Sequence, residues 1–323
     1  MTNQRGFALL AVMLGLTLLS VIVLEFAFAM RLEAAAGHAF KEDRLAAHLA
    51  EGAVQQALVE IACAAPIVSM DQTGRLVFHR PVGGSSLLAA LPVLERARTP
   101  LGAGAFAYRI TDEEGRLDLN LATPERLRRL LTGLGADAQT RDVAVDSLED
   151  WKDSDELRHA NGAESDDYYL RLPVPYRARN RRLQDVAELR QIRGITPALY
   201  EGRGGQPGLA ALTTVHGRTA VNINTAPPTV LAALGVPDAS ITHIVQSRAR
   251  TPYGVVPAHL AGYGLSVSST TFRVDGEGWV TEGRKTRVVA IVQRRNPQPT
   301  TSPADGLNAL GLAILAWHME ASR

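Results

Sequence analysis

The stretch Phe7 to Leu24 reads FALLAVMLGLTLLSVIVL and is apolar without interruption. As a helix it would be about 27 Å long, close to the ~30 Å thickness of the hydrocarbon core of a membrane. Arg5 is the only charged side chain before it, and Glu25 is the first charge after it. The sequence therefore predicts one membrane-spanning helix. The positive-inside rule places its amino-terminal end in the cytoplasm and the chain beyond Met30 on the opposite side.

A cleaved secretory signal peptide is the alternative for this stretch. The apolar run is longer than the usual signal core of about 7–15 residues, and no clear small-x-small cleavage site follows it. The helical pattern also continues, since residues 31–62 contain no proline. Apolar side chains recur there every four residues, at Leu45, Leu49, Ala53, Ala57 and Ile61. We therefore expect one continuous helix from Phe7 to about Ala62, half in lipid and half packed on a soluble body.

The composition limits the partners and cross-links of the chain. Lys and Arg total 34, and Asp and Glu total 33, so the chain has no strong electrostatic field that would attract a nucleic acid. No nucleic-acid partner is expected on charge. Cys63 is the only cysteine, which excludes an intramolecular disulfide and a thiolate metal cage. The length of 323 residues allows two soluble domains or one domain with a large insertion.

The soluble part changes from strands to helices and back to strands. Strand candidates lie at residues 76–79, 106–112, 272–274, 278–280 and 287–292. Asp275 to Gly278 predicts a tight turn between two of the later strands. Helical stretches lie between the two groups of strands, at residues 124–134, 141–152, 185–193, 229–234 and 241–250. This order predicts an α+β fold in which a long N-terminal helix packs on a small antiparallel sheet, with a large all-helical domain inserted.

The predicted organisation has six parts. They are a cytoplasmic leader (1–6), a transmembrane helix segment (7–30), a first part of the helix-and-sheet unit (31–111), the inserted helical domain (112–270), returning strands (271–295), and a linker with a C-terminal helix (296–323). The linker is rich in proline and threonine. The apolar stretch Leu307 to Met319 is the candidate for the C-terminal helix.

An internal repeat lies within the predicted insertion. Leu117 to Pro124 (LDLNLATP) is echoed by Val221 to Pro228 (VNINTAPP), and a leucine-rich helix follows each copy. This module resembles the helix-hairpin-helix units that hold DNA phosphates, so a membrane-tethered DNA-binding or uptake protein is the alternative function. A phosphate-binding hairpin needs free backbone N–H groups and basic neighbours. Gly235 to Asp238 (GVPD) instead removes one N–H group and adds an acid, which disfavours DNA binding.

The most concentrated polar segment runs from Glu149 to Tyr169. Its carboxylates repel one another unless something neutralises them. Three interpretations remain open: a solvated acidic loop, a calcium site built from hard oxygen ligands, or a pair of catalytic carboxylates. The catalytic interpretation lacks an accompanying nucleophile or substrate pocket. The eight histidines are scattered without a metal-binding spacing, and we expect no enzyme activity.

The beginning of the chain resembles a known family. Gly6-Phe7 ahead of an apolar span is similar to the cleavage site of type IV prepilins and type II secretion pseudopilins. Most of those proteins have a glutamate at the fifth position after the cut, where this chain has Ala11. That departure is characteristic of the K class of minor pseudopilins, the general secretion pathway K proteins. The resemblance implies cleavage after Gly6 by a prepilin peptidase, methylation of Phe7, and a pilin-like fold carrying a large helical domain.

The acidic segment also resembles this class. Asp150 to Tyr169, with Asp-Trp-x-Asp-x-Asp and a later Gly-Ala-Glu ahead of Tyr-Tyr, is similar to the K-class signature, and the helical domain of that family binds calcium. The resemblance implies a structural calcium ion that ties a loop down. The implied ligands are Asp153, Asp155, Glu164 and Asp166, with Asp167 in reserve, since Ser165 interrupts the family pattern.

The resemblance further implies a place in an assembly. A carboxylate buried in lipid is unfavourable unless it is paired, so a subunit with Ala11 in place of an acid is best tolerated at the tip of a fibre. The expected partners are other minor pseudopilins of the pseudopilus, which would contact the apolar stripe of the helix at Ala11, Leu45 and Leu49. The expected location is the bacterial inner membrane, with a single pass and most of the chain in the periplasm. The expected function is to initiate or limit fibre assembly for protein secretion.

Overall fold

The computed structural model describes residues 4–83, 88–281, 284–297 and 306–321. Its first element is helix α1, Gln4–Ala62, which is 59 residues long. Among the described residues, α1 is the one helix that is long and apolar enough to cross a membrane. The continuous helix expected from the sequence is confirmed.

Helix α1 has two halves with different surroundings. In the first half the large apolar side chains are exposed, for example Leu10 and Phe28 at 68% and 70%. From Ala46 onward one side of the helix is buried in the protein. That buried side consists mainly of small and branched side chains, including Ala50, Ala53, Val54, Ala57 and Ile61. The first half therefore has the surface that suits lipid, and the second half belongs to the protein core.

A five-stranded antiparallel sheet packs against the second half of α1. Its strands, in spatial order, are β14 (Leu312–Ala321), β13 (Arg284–Arg294), β12 (Thr271–Thr281), β5 (Gly104–Asp112) and β4 (Thr99–Leu101). A smaller antiparallel sheet follows α1 in the chain and contains β1 (Ile67–Met70), β2 (Leu76–Pro81) and β3 (Leu88–Ala90). Alternate residues of the large sheet, such as Ile110, Phe272 and Val288, are buried with α1 in one core. The predicted combination of a long helix and a small antiparallel sheet is confirmed.

Two glycines of β12 allow α1 to lie close to the sheet. A Cβ atom added to Gly276 would lie 2.7 Å from the backbone oxygen of Ala50, and one added to Gly278 would overlap the backbone oxygen of Ala46. The tight turn predicted at residues 275–278 is therefore wrong, because β12 runs through these residues without a break. Glycine serves here for close backbone approach, which the sequence does not distinguish from a turn.

The chain between β5 and its neighbour β12 forms a second body with its own hydrophobic core. Its helices are α2 (Pro124–Gly133), α3 (Ala138–Lys152), α4 (Pro197–Glu201), α5 (Leu209–Leu212), α6 (Pro228–Ala233) and α7 (Asp238–Arg248). Short 3-10 helices lie at Tyr169–Arg171, Val186–Gln191 and Ala258–Tyr263. We refer to residues 113–270 as the second body.

The second body is not made of helices alone, so the all-helical prediction is wrong in this respect. It also contains three short strand pairs, namely β6 (Leu117–Asp118) with β9 (Thr213–Thr214), β7 (Gly202–Arg203) with β8 (Gln206–Pro207), and β10 (Val221–Asn222) with β11 (Leu265–Ser266). Strands of two residues are too short to produce an alternating pattern, which is why the sequence did not reveal them.

The C-terminal stretch is a strand where a helix was expected. Only Gly306–Ala309 forms a short helix, α8, and Leu312–Ala321 is strand β14. Strand β14 pairs with β13 along nearly its whole length, from Leu312 opposite Arg294 to Ala321 opposite Thr286. The apolar composition of this stretch fits either structure, and the open edge of β13 decides in favour of a strand.

The sequence repeat corresponds to two copies of one structural module. Asn120 exchanges two hydrogen bonds with the backbone of Leu183, at 2.9 and 3.0 Å, and Asn224 exchanges two with the backbone of Tyr253, at 2.8 and 3.0 Å. In the first module the chain needs residues 153–182 to travel from the end of α3 to Leu183, whereas in the second it needs only residues 249–252 from the end of α7 to Tyr253. The first module thus carries a long extra loop, and the acidic segment lies in it.

Candidate metal centre

The extra loop is held at its base by aromatic side chains. The rings of Trp151 and Tyr169 meet edge to face with centroids 5.3 Å apart, and the ring of Tyr176 lies 5.3 Å from that of Tyr169. Tyr169 is completely buried, and its hydroxyl accepts a hydrogen bond of 3.2 Å from the backbone N–H of Arg193. This aromatic cluster fixes both ends of the acidic segment on the second body.

Four carboxylates converge where the loop leaves α3. Asp153, Asp155 and Glu164 place one oxygen each within 4.8 Å of one another, and a second group on the same Asp153 includes Asp150 and His159. Asp150 lies on the last turn of α3, and Asp153 is the residue that ends this helix. The three predicted ligands Asp153, Asp155 and Glu164 are therefore brought together by the structure.

Several oxygens of this cluster are buried without a hydrogen-bond donor. Asp150 and Glu164 are only 0% and 2% exposed. Among the described residues, no donor reaches Oδ2 of Asp150, Oδ1 of Asp153 or either carboxylate oxygen of Glu164. Buried polar atoms nearly always have a partner, and a buried charge without one is strongly unfavourable. The donor set therefore fits a cation at Asp153, Asp155 and Glu164, with Asp150 beside it in the overlapping group.

The pKa values in the cluster show the same lack of positive charge. Burial, followed by the negative charges of Asp150, Asp153 and Glu156, raises the pKa of Glu164 to about 7. Burial also raises the pKa of Asp153, and the charges of Asp155 and Asp150 add to this effect. Nearby negative charges make each further ionisation unfavourable, and a bound dication would reverse that effect.

His159 and Gly162 shape the pocket around Asp150. The backbone N–H of His159 donates a 2.9 Å hydrogen bond to Oδ1 of Asp150, and its ring Nδ1 contacts the same oxygen. The carboxylate of Asp150 lies directly against Gly162, where an added Cβ atom would overlap it. Sequence analysis missed Asp150, His159 and Gly162 as members of the site. The position of Asp150 three residues before Asp153, on the last turn of a helix, was the available signal.

Asp166 lies outside the cluster, so the structure does not bring this predicted ligand together with the other three. Its side chain is 77% exposed and points to Arg177, with a distance of 3.9 Å between charged atoms. The reserve ligand Asp167 instead accepts a hydrogen bond of 2.9 Å from the backbone N–H of Glu164 and lies 3.3 Å from Arg158. Asp167 thus fixes the backbone at Glu164. The exposed Asp166 follows Ser165, whose hydroxyl accepts a hydrogen bond of 3.0 Å from the backbone N–H of Ala178.

The chemistry of the cluster favours calcium. All of the unpartnered atoms are carboxylate oxygens, and Ca²⁺ takes 6–8 oxygen ligands in flexible geometry. Asp150, Asp153, Asp155 and Glu164 would hold the ion, and the remaining positions are open to water or backbone oxygens.

The other predicted site residues lie on α1. Phe7 is 76% exposed and Ala11 is exposed, as is Leu45 at 36%. Leu49 is only 5% exposed and packs against β12 at Gly278. Its side chain is already packed inside this chain, and its role as a contact between subunits stays a prediction. The contact role of Ala11 and Leu45 and the processing of Gly6 and Phe7 stay predictions.

Comparison with known proteins gives a consistent result. Residues 110–202 match the family described as type II secretion system protein K. The type II secretion system protein K of Pectobacterium carotovorum is 34% identical over 145 residues, which are 45% of this chain and 42% of that protein. The protein of the same description from Pseudomonas aeruginosa is 35% identical over 158 residues, 46% of this chain and 45% of that protein. The chain thus spans less than half the length of these relatives.

A solved structure shares the fold. A chain in the crystal structure of the GspK-GspI-GspJ complex from the type 2 secretion system of enterotoxigenic Escherichia coli superposes with a TM-score of 0.54 and 21% identity. The match covers 71% of this chain and 84% of that chain. The structural match therefore extends beyond residues 110–202, which the family match covers. The likeness supports the fold described above.

Proposed function

We propose a role in protein secretion on the premise that this chain belongs to the type II secretion system protein K family. In that role the chain is a minor pseudopilin, anchored in the inner membrane by a single pass with most of its mass in the periplasm. One observation carries the proposal: α1 is a continuous helix whose first half is apolar and exposed and whose second half is packed on the sheet. Such a helix connects a membrane to a soluble body without a hinge.

The chain is processed before assembly in this proposal. A prepilin peptidase cuts after Gly6, and the new amino terminus at Phe7 is methylated. The support is the position of this pair at the start of the apolar run, ahead of a helical stretch that is exposed to solvent among the described residues. Removal of residues 1–6 also removes Arg5, so the mature helix begins with an apolar side chain.

A place at the tip of the pseudopilus follows from two features. Ala11 offers no carboxylate to a subunit above it, and a carboxylate at this depth is tolerated in lipid only when it is paired. The second body, residues 113–270, is inserted between β5 and its neighbour β12 and adds a second hydrophobic core to the soluble part. In this proposal an addition of that size obstructs the stacking of a further subunit, so the chain initiates or limits the fibre.

The proposed partners are other minor pseudopilins. The related crystal structure contains GspK together with GspI and GspJ, and the corresponding partners of this chain would pack along α1. The exposed face of α1 is available for such packing at Ala11 and Leu45. The side chain of Leu49 is packed inside this chain, as described above. No catalytic activity is part of this proposal.

We also propose a structural calcium ion in the second body. Asp150, Asp153, Asp155 and Glu164 supply its carboxylate ligands, and the support is the set of buried oxygens without donors. When bound, the ion neutralises part of the charge of the cluster. The residues themselves then join the end of α3 to the far side of the loop at Glu164, so the loop is fixed at a second point besides its aromatic base.

The DNA-binding alternative gains no support from the second hairpin. Helix α7 begins at Asp238, directly after Pro237, and Asp238 lies in its first turn. A DNA phosphate at this helix start would meet a carboxylate and would miss one backbone donor. Salt-dependent binding of duplex DNA by the full chain would be the result that revives this alternative.

Co-purification tests the secretion role. The full chain is extracted in non-ionic detergent from cells that express the minor pseudopilins of the same secretion system. The proposal predicts a stoichiometric complex with them that survives size-exclusion chromatography and is lost when Ala11 is changed to Lys. A chain that elutes alone under conditions where the other minor pseudopilins still associate with one another would refute it.

A further inference from the structure

The sheet has an open face, on the side opposite α1. Along this face one row of paired residues crosses four strands. Arg109 of β5 pairs with Asp275 of β12. Asp275 pairs in turn with Val289 of β13, and Val289 pairs with His318 of β14. Side chains in one such row share a face. Three steps between neighbouring strands cover about 14 Å, which is the length of roughly four extended residues.

Two cavities lie along this row and share residues. One, of about 320 Å³, is lined by Arg96, Ala107, Tyr108, Arg109, Asp275, Glu277 and Arg287. The other, of about 480 Å³, lies between the open face and the second body. Both cavities include Arg109, Asp275 and Arg287. We call this continuous depression the open-face trough.

The open-face trough has more positive than negative charge at its centre. The carboxylate of Asp275 forms ion pairs with two arginines. Its oxygens lie 3.2 Å from Nε of Arg273 and 2.5 Å from Nη2 of Arg287. Arg109 is exposed, and no ion pair joins its guanidinium to any of the described residues although it lies next to Asp275 in the row. Glu320 lies 3.7 Å from Arg287. The other carboxylates that line the trough are already paired, namely Glu113 with Arg116, Asp185 with His318 and Glu277 with Lys285. Arg109 is therefore the arginine of this group that has no ion-pair partner among the described residues.

Part of the wall of the trough is apolar. The second body contributes Val186, Ala210 and Val215, and the sheet contributes Val289 and Ile291. A simple inorganic anion would use the arginines and leave these walls unfilled. An extended peptide with alternating acidic and apolar side chains would use both.

We propose that the open-face trough docks an acidic, extended segment of another protein, with one of its carboxylates paired to Arg109. The segment is about four residues long and lies across the strands, with its apolar side chains toward the second body. Arg287 and Arg273 provide additional positive charge, which directs the acidic segment to this face and excludes basic ones. The inference depends on the residues of this face and not on the secretion role proposed above.

Peptide binding to the purified full chain in non-ionic detergent tests this proposal. The probes are fluorescein-labelled Glu-Val-Glu-Val and Lys-Val-Lys-Val peptides, followed by fluorescence anisotropy. The acidic peptide is expected to bind saturably, more weakly as salt rises, and the basic peptide is expected not to bind. Equal binding of the two peptides, or no binding of the acidic one, would overturn the proposal.

Two variants at Arg109 and one control locate the binding. Arg109→Glu is expected to weaken binding of the acidic peptide about tenfold or more, and the milder Arg109→Gln to weaken it severalfold. The control Arg250→Glu makes the same change at an exposed arginine that lines neither cavity, and it is expected to leave binding unchanged. An Arg109→Gln protein that melts like the parent chain and binds the acidic peptide as tightly would also overturn the proposal.

Discussion

Gly162 lies so close to Asp150 that the Asp150 carboxylate occupies the space a Cβ atom of residue 162 would need. This contact joins the extra loop to the last turn of α3, where Asp150 is completely buried. The glycine is required here for space and not for its backbone conformation. The acidic cluster thus depends on a residue that contributes no ligand.

The first prediction concerns Gly162. Gly162→Ala displaces the Asp150 carboxylate and is expected to lower the free energy of unfolding of the second body by about 1–3 kcal/mol. Thermal unfolding of the full chain in detergent, followed by the fluorescence of the buried Trp151 and the other tryptophans, measures the loss. The control is Gly262→Ala, because nothing lies within 4 Å of a Cβ atom at that position. Equal melting temperatures for the two variants would show that the contact between Gly162 and Asp150 does not require a glycine.

The second prediction concerns calcium. Saturating Ca²⁺ is expected to raise the melting temperature of the second body, and chelation with EDTA to lower it, since a ligand that binds only the folded state stabilises it by about 2.7 kcal/mol at 100 times its dissociation constant. Asp153→Asn and Glu164→Gln are expected to abolish this difference.

Asp166→Asn is the matched control for the calcium site. It makes the same change of charge in the same loop, at a side chain that is 77% exposed, and it is expected to keep the full calcium effect. A calcium effect that Asp166→Asn abolishes, or one that survives Glu164→Gln, would show that the ligands are assigned incorrectly.

The third prediction concerns pH and Asp112, which lies where β5 meets the second body. Asp112 is buried, and burial raises its pKa to about 6 although Thr225 and Ser269 donate hydrogen bonds to it at 2.6 and 2.7 Å. The folded state then keeps the proton up to about pH 6, whereas the unfolded state loses it near pH 4. Stability from this group is therefore present below pH 4 and is lost as the pH rises to about 6.

Comparison with Asp112→Asn isolates this effect, because the amide does not titrate. The free energy of unfolding of the parent chain, measured relative to that of the variant, is expected to fall by about 2 kcal/mol between pH 4 and pH 6.5. Denaturant titrations at fixed Ca²⁺ concentration measure it. A difference that stays constant over this range would show that Asp112 is ionised at an ordinary pKa in the folded chain.

The fourth prediction concerns the contact between α1 and the sheet. Gly278→Ala places a methyl group against the backbone of Ala46 and Ala50, so α1 has to move away from β12. The expected loss is about 1–3 kcal/mol in the free energy of unfolding of the helix-and-sheet unit. Proteolysis of the loop after α1 reports it as earlier cleavage. Gly306→Ala, at a position without neighbours within 4 Å, is expected to leave the cleavage rate unchanged.

The sequence predicted the elements whose pattern is long and regular. The apolar run from Phe7 and the four-residue spacing up to Ile61 were enough to predict α1, and alternation at residues 106–110 was enough to predict β5. Elements whose structure depends on distant neighbours were predicted incorrectly. Residues 275–278 have the composition of a turn, but they form part of a strand on which α1 packs closely. Leu312 to Ala321 has a composition that also fits a helix, but it forms a strand because it pairs with the edge of β13.

The metal centre was predicted in part for a similar reason. Asp153, Asp155 and Glu164 were implied by the resemblance to a known family, and the structure brings them together. Asp150 is separated from the loop ligands by the end of α3, and Gly162 matters only through the space it leaves. The spacing of Asp150 from Asp153 was a signal for the first role, whereas the role of Gly162 cannot be read from spacing because it depends on how the loop folds back on the helix.

The membrane anchor requires that α1 stays in the mature protein and begins at Phe7. Mass spectrometry of the amino-terminal peptide, from the chain purified out of its native membrane, determines where the mature protein starts. We expect a peptide that starts at Phe7 and carries one additional methyl group on its amino terminus. A mature protein that starts beyond Met30 would refute the anchor, because it would have lost the apolar half of α1.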